Sequence, residues 1–234
     1  CCDINDDGLP DLVLVNSSHN TPSRDPGSFV FLNNGSGFDR EPTWKLPSNL
    51  AHGACCADLN RDGYLDLVFA GHRSPDLLIF HGTEQGFDLE HPGRIHMEWE
   101  DTHCSSPLWI YLADLNNDGW LDLFVAGYGP EIGDVAADYM GFQNDGARPR
   151  LYRNDGRGGF VEVTRDAGLW RVHLPMGSNF GDLDNDGFLD FYLGTGYPTY
   201  DAIGPNIMYR NNEGETFSDV TFSGGFGHLQ KGHG

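Results

Sequence analysis

A nine-residue phrase recurs four times in the chain: DINDDGLPD at 3–11, DLNRDGYLD at 58–66, DLNNDGWLD at 114–122 and DLDNDGFLD at 182–190. Successive copies start 55, 56 and 68 residues apart. A repeat of this size limits the fold sharply, because each unit is too small to bury both its faces and must stack on its neighbours. Every copy runs into a short stretch of β-formers: LVLV (12–15), LVFA (67–70), LFVA (123–126) and FYLG (191–194). Similar stretches precede three copies, GACCA (53–57), LWIYLA (108–113) and SNFG (178–181). A third follows each: FVFLN (29–33), LLIFHG (77–82), RLYRN (150–154) and NIMYRN (206–211). A Gly-Phe or Thr-Phe pair then opens a fourth, GFDRE (37–41), GFDLE (86–90), GFVEVT (159–164) and TFSDVT (216–221). The intervening NNGSG, HGTEQG, RNDGRGG and RNNEGE segments supply the Asn, Asp and Gly that hairpin turns need at positive φ.

Four antiparallel strands per unit of about 55–65 residues match the blade of a β-propeller. The expected fold is therefore all-β, with 32 glycines marking tight turns and no expectation of helices. The blades are expected at 1–47, 48–104, 105–172 and 173–226, with a further blade starting at 227–234. His52 stands six residues before the loop-start Asp58, and His233 occupies the equivalent slot. The next loop is then expected near position 239, and closing the ring onto Asp3 would shorten that spacing by two. The chain is thus expected to be part of a larger ring of about seven blades.

The repeated phrase has the oxygen content of a calcium loop. Ca²⁺ takes six to eight oxygens, carboxylates foremost, and a curled loop points every second residue inward. The candidate ligands are Asp3, Asn5, Asp7, the Leu9 carbonyl and Asp11 in loop one. They are Asp58, Asn60, Asp62, the Tyr64 carbonyl and Asp66 in loop two. Loop three offers Asp114, Asn116, Asp118, the Trp120 carbonyl and Asp122. Loop four offers Asp182, Asp184, Asp186, the Phe188 carbonyl and Asp190. Glycine at position 6 permits the sharp bend. An EF-hand begins alike but needs Glu at position 12 and flanking helices; here Leu14, Phe69, Val125 and Leu193 stand there. A metal-free Asx turn is the plainer alternative, disfavoured because carboxylates packed so closely repel one another without a cation. About four Ca²⁺ are expected.

The same residues resemble FG-GAP/VCBS repeats, as found in integrin α-chain propellers. The phrases LYRNDGRGGFVEVTRDAGL and MYRNNEGETFSDVTFSGGF are most similar to the cartilage-acidic-protein-like, ASPIC/UnbV-associated proteins. The resemblance implies a secreted or surface propeller, often seven-bladed, with calcium in each loop. An extracellular, cell-surface or periplasmic location follows from it as an expectation.

Charge and composition narrow the partners. The formal net charge is −21, from 14 basic and 35 acidic residues, of which the loops with Asp6 hold 14. Nucleic acid and anionic membrane surfaces are poor partners for such a chain, since both need clustered Lys and Arg. No run of eighteen apolar residues suggests membrane insertion. A protein or glycan ligand is expected, with calcium stiffening the blades. No GxSxG elbow, HExxH, P-loop or Rossmann pattern occurs, so no enzyme is expected. The alternative is an accessory or catalytic propeller of a secreted carbohydrate-active or phospholipase-like enzyme.

Other features have plainer readings. His96, Glu98, Glu100, Asp101, His103 and Cys104 resemble a metal cluster but read better as a solvated connection between blades. The long connections at 16–28, 127–147 and 195–205 carry Tyr128, Tyr139, Tyr197 and Tyr200, away from the calcium loops. With Trp44, Trp99 and Trp170 they are the expected binding face, unless these rings only pack between blades. Five cysteines (Cys1, Cys2, Cys55, Cys56, Cys104) leave at least one thiol unpaired. Most are expected to be small buried apolar residues.

Overall fold

The computed structural model describes residues 2–16, 27–48, 50–71, 74–97, 106–129, 131–196 and 203–230. The strands come in chain order as four blade-like sheets. The first holds β1 (Leu12–Leu14), β2 (Ser28–Phe31) and β3 (Trp44–Leu46) in that spatial order. The second contains β4 (Ala51–Ala57), β5 (Asp66–Gly71), β6 (Asp76–Phe80) and, after a short pair β7 (Gly82–Thr83) and β8 (Gly86–Phe87), the outer strand β9 (Gly93–His96). The third contains β10 (Ser106–Ala113), β11 (Asp122–Tyr128), β12 (Arg150–Asn154) and β13 (Phe160–Glu162). Helix α1 (Ile132–Tyr139) lies in the connection from β11 to β12. The fourth contains β14 (Pro175–Gly181), β15 (Asp190–Thr195), β17 (Ile207–Asn212) and β18 (Thr216–Asp219). The small strands β16 (Gly204–Pro205) and β19 (Leu229–Gln230) pair with each other. This is the antiparallel, sequentially wound sheet series of an all-β, multi-bladed propeller.

In the second, third and fourth sheets the repeated phrase sits between the first and second strands, and in the first it precedes β1. Its ends are closed by Ala57↔Asp66, Ala113↔Asp122 and Gly181↔Asp190, and in the first sheet by the isolated bridge Cys2↔Asp11. In those three sheets the strand after the phrase is central, and β5 (DLVFAG) is buried throughout. Two compact units divide the chain, Cys1–Glu98 and Trp99–Gly234. The core of the first contains Val30, Leu46, Leu67, Phe69, Leu78 and Phe80. That of the second contains Phe124, Leu151, Phe191, Leu193, Tyr209 and Phe217. Phe191 is its hub, with ring centroids 5.0 Å from Phe124, Tyr209 and Phe217. Burying each such ring is worth about 2–3 kcal/mol.

Three expectations are corrected. The outer strands of the first two sheets are Trp44–Leu46 and Gly93–His96, not 37–41 and 86–90. Phe38 forms only an isolated bridge to Asn33 and is 46% exposed, while Gly86–Phe87 folds back on Gly82–Thr83. The later segments bring Leu46 and Met97 to the core, which GFDRE and GFDLE lack beyond their Phe. Helix α1 is the second difference; the Glu131 side chain and the Asp134 side chain form a reciprocal capping box at its start. Third, Cys2 and Cys56 are joined in a disulfide across 54 residues and are not lone buried thiols. Cys55 is free, and burial pushes its thiol up to about 12. Cys1, Trp99, Tyr197, Tyr200, His233 and the 98–104 portion of the polar cluster lie outside the described residues, as does the ring-closing segment beyond 230. His96 bonds Asp76 at 2.7 Å, beside Arg94. Among the described residues, no helix is long and apolar enough to cross a membrane.

Candidate metal sites

Each loop is built on the same hydrogen-bond frame. The position-1 aspartate accepts the backbone N–H groups of positions 5 and 6. Asp3 takes those of Asp7 at 3.0 Å and Gly8 at 2.8 Å; Asp58 takes those of Asp62 at 3.1 Å and Gly63 at 2.9 Å. Asp114 takes those of Asp118 at 3.2 Å and Gly119 at 2.8 Å; Asp182 takes those of Asp186 at 3.1 Å and Gly187 at 3.0 Å. The position-5 aspartate then accepts the N–H of position 7, which fixes Leu9, Tyr64, Trp120 and Phe188 at 2.8–2.9 Å. The chain curls because position 4 is left-handed: φ is 56° at Asp6, 59° at Arg61, 57° at Asn117 and 59° at Asn185. These residues are not glycines, so the frame's hydrogen bonds hold them there against a cost of about 1 kcal/mol each.

The position-9 aspartate has a second task. Asp11, Asp66, Asp122 and Asp190 are buried, at 0–1% exposure. One oxygen of each accepts the N–H of position 2: Ile4 at 2.7 Å, Leu59 at 3.0 Å, Leu115 at 3.3 Å and Leu183 at 3.0 Å. The other accepts an N–H from the third strand or just beyond it: Asn33 at 2.8 Å, Gly82 at 2.9 Å, Asn154 at 3.2 Å and Asn211 at 2.8 Å. The carboxylate thus ties the loop to the sheet. Charge-assisted bonds of this kind are the stronger ones.

The loops differ at position 3. In loops one to three the asparagine donates to the position-5 carboxylate, Asn5 to Asp7 at 3.0 Å, Asn60 to Asp62 at 2.9 Å and Asn116 to Asp118 at 2.8 Å. In loop four Asp184 cannot donate. One carboxylate oxygen from each of Asp182, Asp184 and Asp190 lies within 4.8 Å of the others, two exposed and one buried. An all-oxygen donor set at this separation fits a hard cation of the Ca²⁺ kind.

Residues just before that tie refine the buried carboxylates, a role the sequence did not reveal. Arg153 ion-pairs with Asp122 at 2.9 Å. Burial nevertheless pushes Asp122 up to about 6, with the guanidinium opposing. His81 stands in the same repeat position and meets Asp66 at 3.2 Å; that hydrogen bond raises the imidazole pKa above its ordinary value. The equivalents are Leu32 and Arg210. A charged residue directly before the Asn or Gly that ends this bond was the available signal.

The expected aromatic face divides. Trp44 lies not away from the repeated loops but lines one cavity with Asp62 and Tyr64, and is packed edge-on by Phe87 at 5.4 Å. Trp170 is ringed by Arg148, Arg150 and Arg165, the last 3.5 Å from its centroid, so it packs as a cation–π core. Tyr128 donates to the Gly196 carbonyl at 3.3 Å, and Tyr139 stays 41% exposed.

The FG-GAP-like repeat matches three stretches, 3–69, 58–125 and 132–193, which together contain all four loops. No curated protein matches. Among solved structures, an Agrocybe aegerita lectin described for its specific recognition of non-reducing terminal N-acetylglucosamine is similar over 92% of this chain and 50% of its own, with 19% identity and a TM-score of 0.47. The chain spans half the length of that lectin.

Proposed function

The chain belongs to the FG-GAP-like repeat family, and on that premise we propose that it is a calcium-binding propeller that presents a binding surface to a protein or glycan outside the cytoplasm. The observation that carries the reading is the loop-four constellation. Asp182, Asp184 and Asp190 bring three carboxylates together with no donor of their own. A divalent cation supplies the missing positive charge, and the repeated frame extends the same site to Asp58, Asp114 and Asp3 with their partners. Held this way, the cation would neutralise the loop and stiffen the junction of first and second strands, while the chain's own residues fix the shape. The Cys2–Cys56 disulfide favours an oxidising compartment. Isothermal titration of metal-stripped protein with Ca²⁺ tests the metal, and a glycan array together with a hydrolase and lyase screen tests the role. No calcium uptake would remove the metal reading; turnover in the enzyme screen would replace the scaffold with the catalytic alternative.

A further inference from the structure

Neighbouring loops are joined differently in the two compact units. In the second, Asn117 at position 4 of loop three donates to the carbonyl of Gly187 at position 6 of loop four, at 2.7 Å. Beneath that contact Arg153 spans the gap, pairing with Asp122 at 2.9 Å and donating to the Gly214 carbonyl of the next hairpin. In the first unit both residues are replaced. Asp6 stands where Asn117 does, and a carboxylate cannot donate to a carbonyl. Leu32 stands where Arg153 does, as the matched bonds Asn33 to Asp11 and Asn154 to Asp122 establish. The result is a cavity of about 630 Å³ between loops one and two, with Asp6 and Leu32 on one wall and Asp62, Tyr64 and the hairpin at Glu84 on the other. Trp44 also lines it.

We propose that this cavity receives a guanidinium group offered by a basic segment of a partner protein. The second unit shows what fits such a gap, since Arg153 fills its counterpart. The lining carries the carboxylates of Asp6 and Glu84, with that of Asp62 held by its own loop, and among the described lining residues none is basic. Tyr64 is 40% exposed, so its ring is open to an incoming cation, and Trp44 adds a second aromatic wall. A planar guanidinium both stacks on such rings and forks to carboxylates, which an ammonium does less well. This inference rests on the reading of the chain as a ligand-binding propeller and names the chemistry of one ligand.

The test is calorimetric titration, in millimolar calcium, with N-acetyl-arginine amide, its neutral analogue N-acetyl-citrulline amide, and maltotriose. The arginine amide should bind at least about tenfold more tightly than the citrulline amide. Leu32→Arg, which supplies the internal guanidinium, should abolish that binding, and Glu84→Gln should weaken it. Equal affinity for the two amides overturns the proposal, as does undiminished binding in Leu32→Arg. Maltotriose binding with the arginine amide inert overturns it in favour of a glycan. The calcium-dependent melting shift is read on the same samples. A normal shift without arginine preference rejects this inference alone; arginine preference without a shift supports it and rejects the calcium reading.

Discussion

The buried carboxylate of Asp190 accepts the backbone N–H of Asn211 at 2.8 Å, so the last residue of a candidate metal loop is also the pin between that loop and the third strand of its own sheet. Asp190→Ala should therefore do more than remove an ion. It leaves the N–H groups of Leu183 and Asn211 without their acceptor. The expected loss in chelator is about 3 kcal/mol. Asp184→Ala, at an exposed position, should lower calcium uptake by one ion with far less effect on the metal-free protein. Equal urea midpoints for the two metal-free variants would show that the pin contributes nothing.

Calcium removal should lower the melting temperature in steps. With a dissociation constant near ~10 μM, ~1 mM Ca²⁺ stabilises each site by roughly 2.7 kcal/mol. Mg²⁺ should substitute poorly, because it demands a small octahedral shell. Scanning calorimetry with matched Ca²⁺ and Mg²⁺ checks this; equal shifts from the two ions would contradict an oxygen-rich, flexible site.

His173 predicts a pH dependence separate from the metal. It is 2% exposed, its Nε2 lies 2.8 Å from the Tyr209 hydroxyl, and burial lowers its pKa from 6.5 to about 4. Asp219 and Asp138 nearby raise it and Arg171 lowers it, but burial dominates. The unfolded chain thus takes up the proton first. Stability from this group is complete above 6.5 and falls as pH drops toward 4. By pH 5 the loss is about 2 kcal/mol. Asp122, raised to about 6, shifts stability the opposite way, so the readout is the difference between wild type and His173→Gln over pH 5–7. Parallel profiles for the two proteins would mean that His173 is not held neutral.

Reduction of the disulfide should be costly. Cys2 and Cys56 enclose 54 residues of separation. A loop of that length corresponds to about 4 kcal/mol in the chain-entropy account. Peptide mapping should recover Cys2 linked to Cys56, and Cys55 should alkylate slowly near neutral pH, since its raised pKa keeps it a thiol. Rapid native labelling of Cys55 would contradict the raised pKa of its thiol.

The repeat made the loops and the inner three strands legible, because D-x-[DN]-x-D-G-x-x-D fixes a turn and the apolar runs that follow fix a central strand. The outer strands were less legible. Phe38 and Phe87 begin strand-like phrases, yet register is set by which side chains reach the core, and Leu46 and Met97 do so from further along. Helix α1 was written in Glu131 and Asp134 but overshadowed by the surrounding β pattern. The frame around each site could be read only in part. Position 1 and position 5 look like pure ligands in the sequence, whereas their backbone bonds show them shaping the loop. The pairing of Arg153 with Asp122 and of Cys2 with Cys56 spans 31 and 54 residues, beyond what local pattern can specify.

The Cys2–Cys56 bond also has a mechanical consequence. A pull applied at the two termini enters at Cys2 and crosses directly to Cys56, bypassing the whole first sheet. The shielded stretch would otherwise extend by about 180 Å, at 3.3–3.6 Å per residue. Under tension the oxidised chain should lengthen less by that amount than the reduced one, and loop one should stay folded while sheets further along yield. A chain tethered at one end and gripped at the other would then keep loop one and the first sheet in shape under load, and single-molecule extension with and without reductant reads that difference directly.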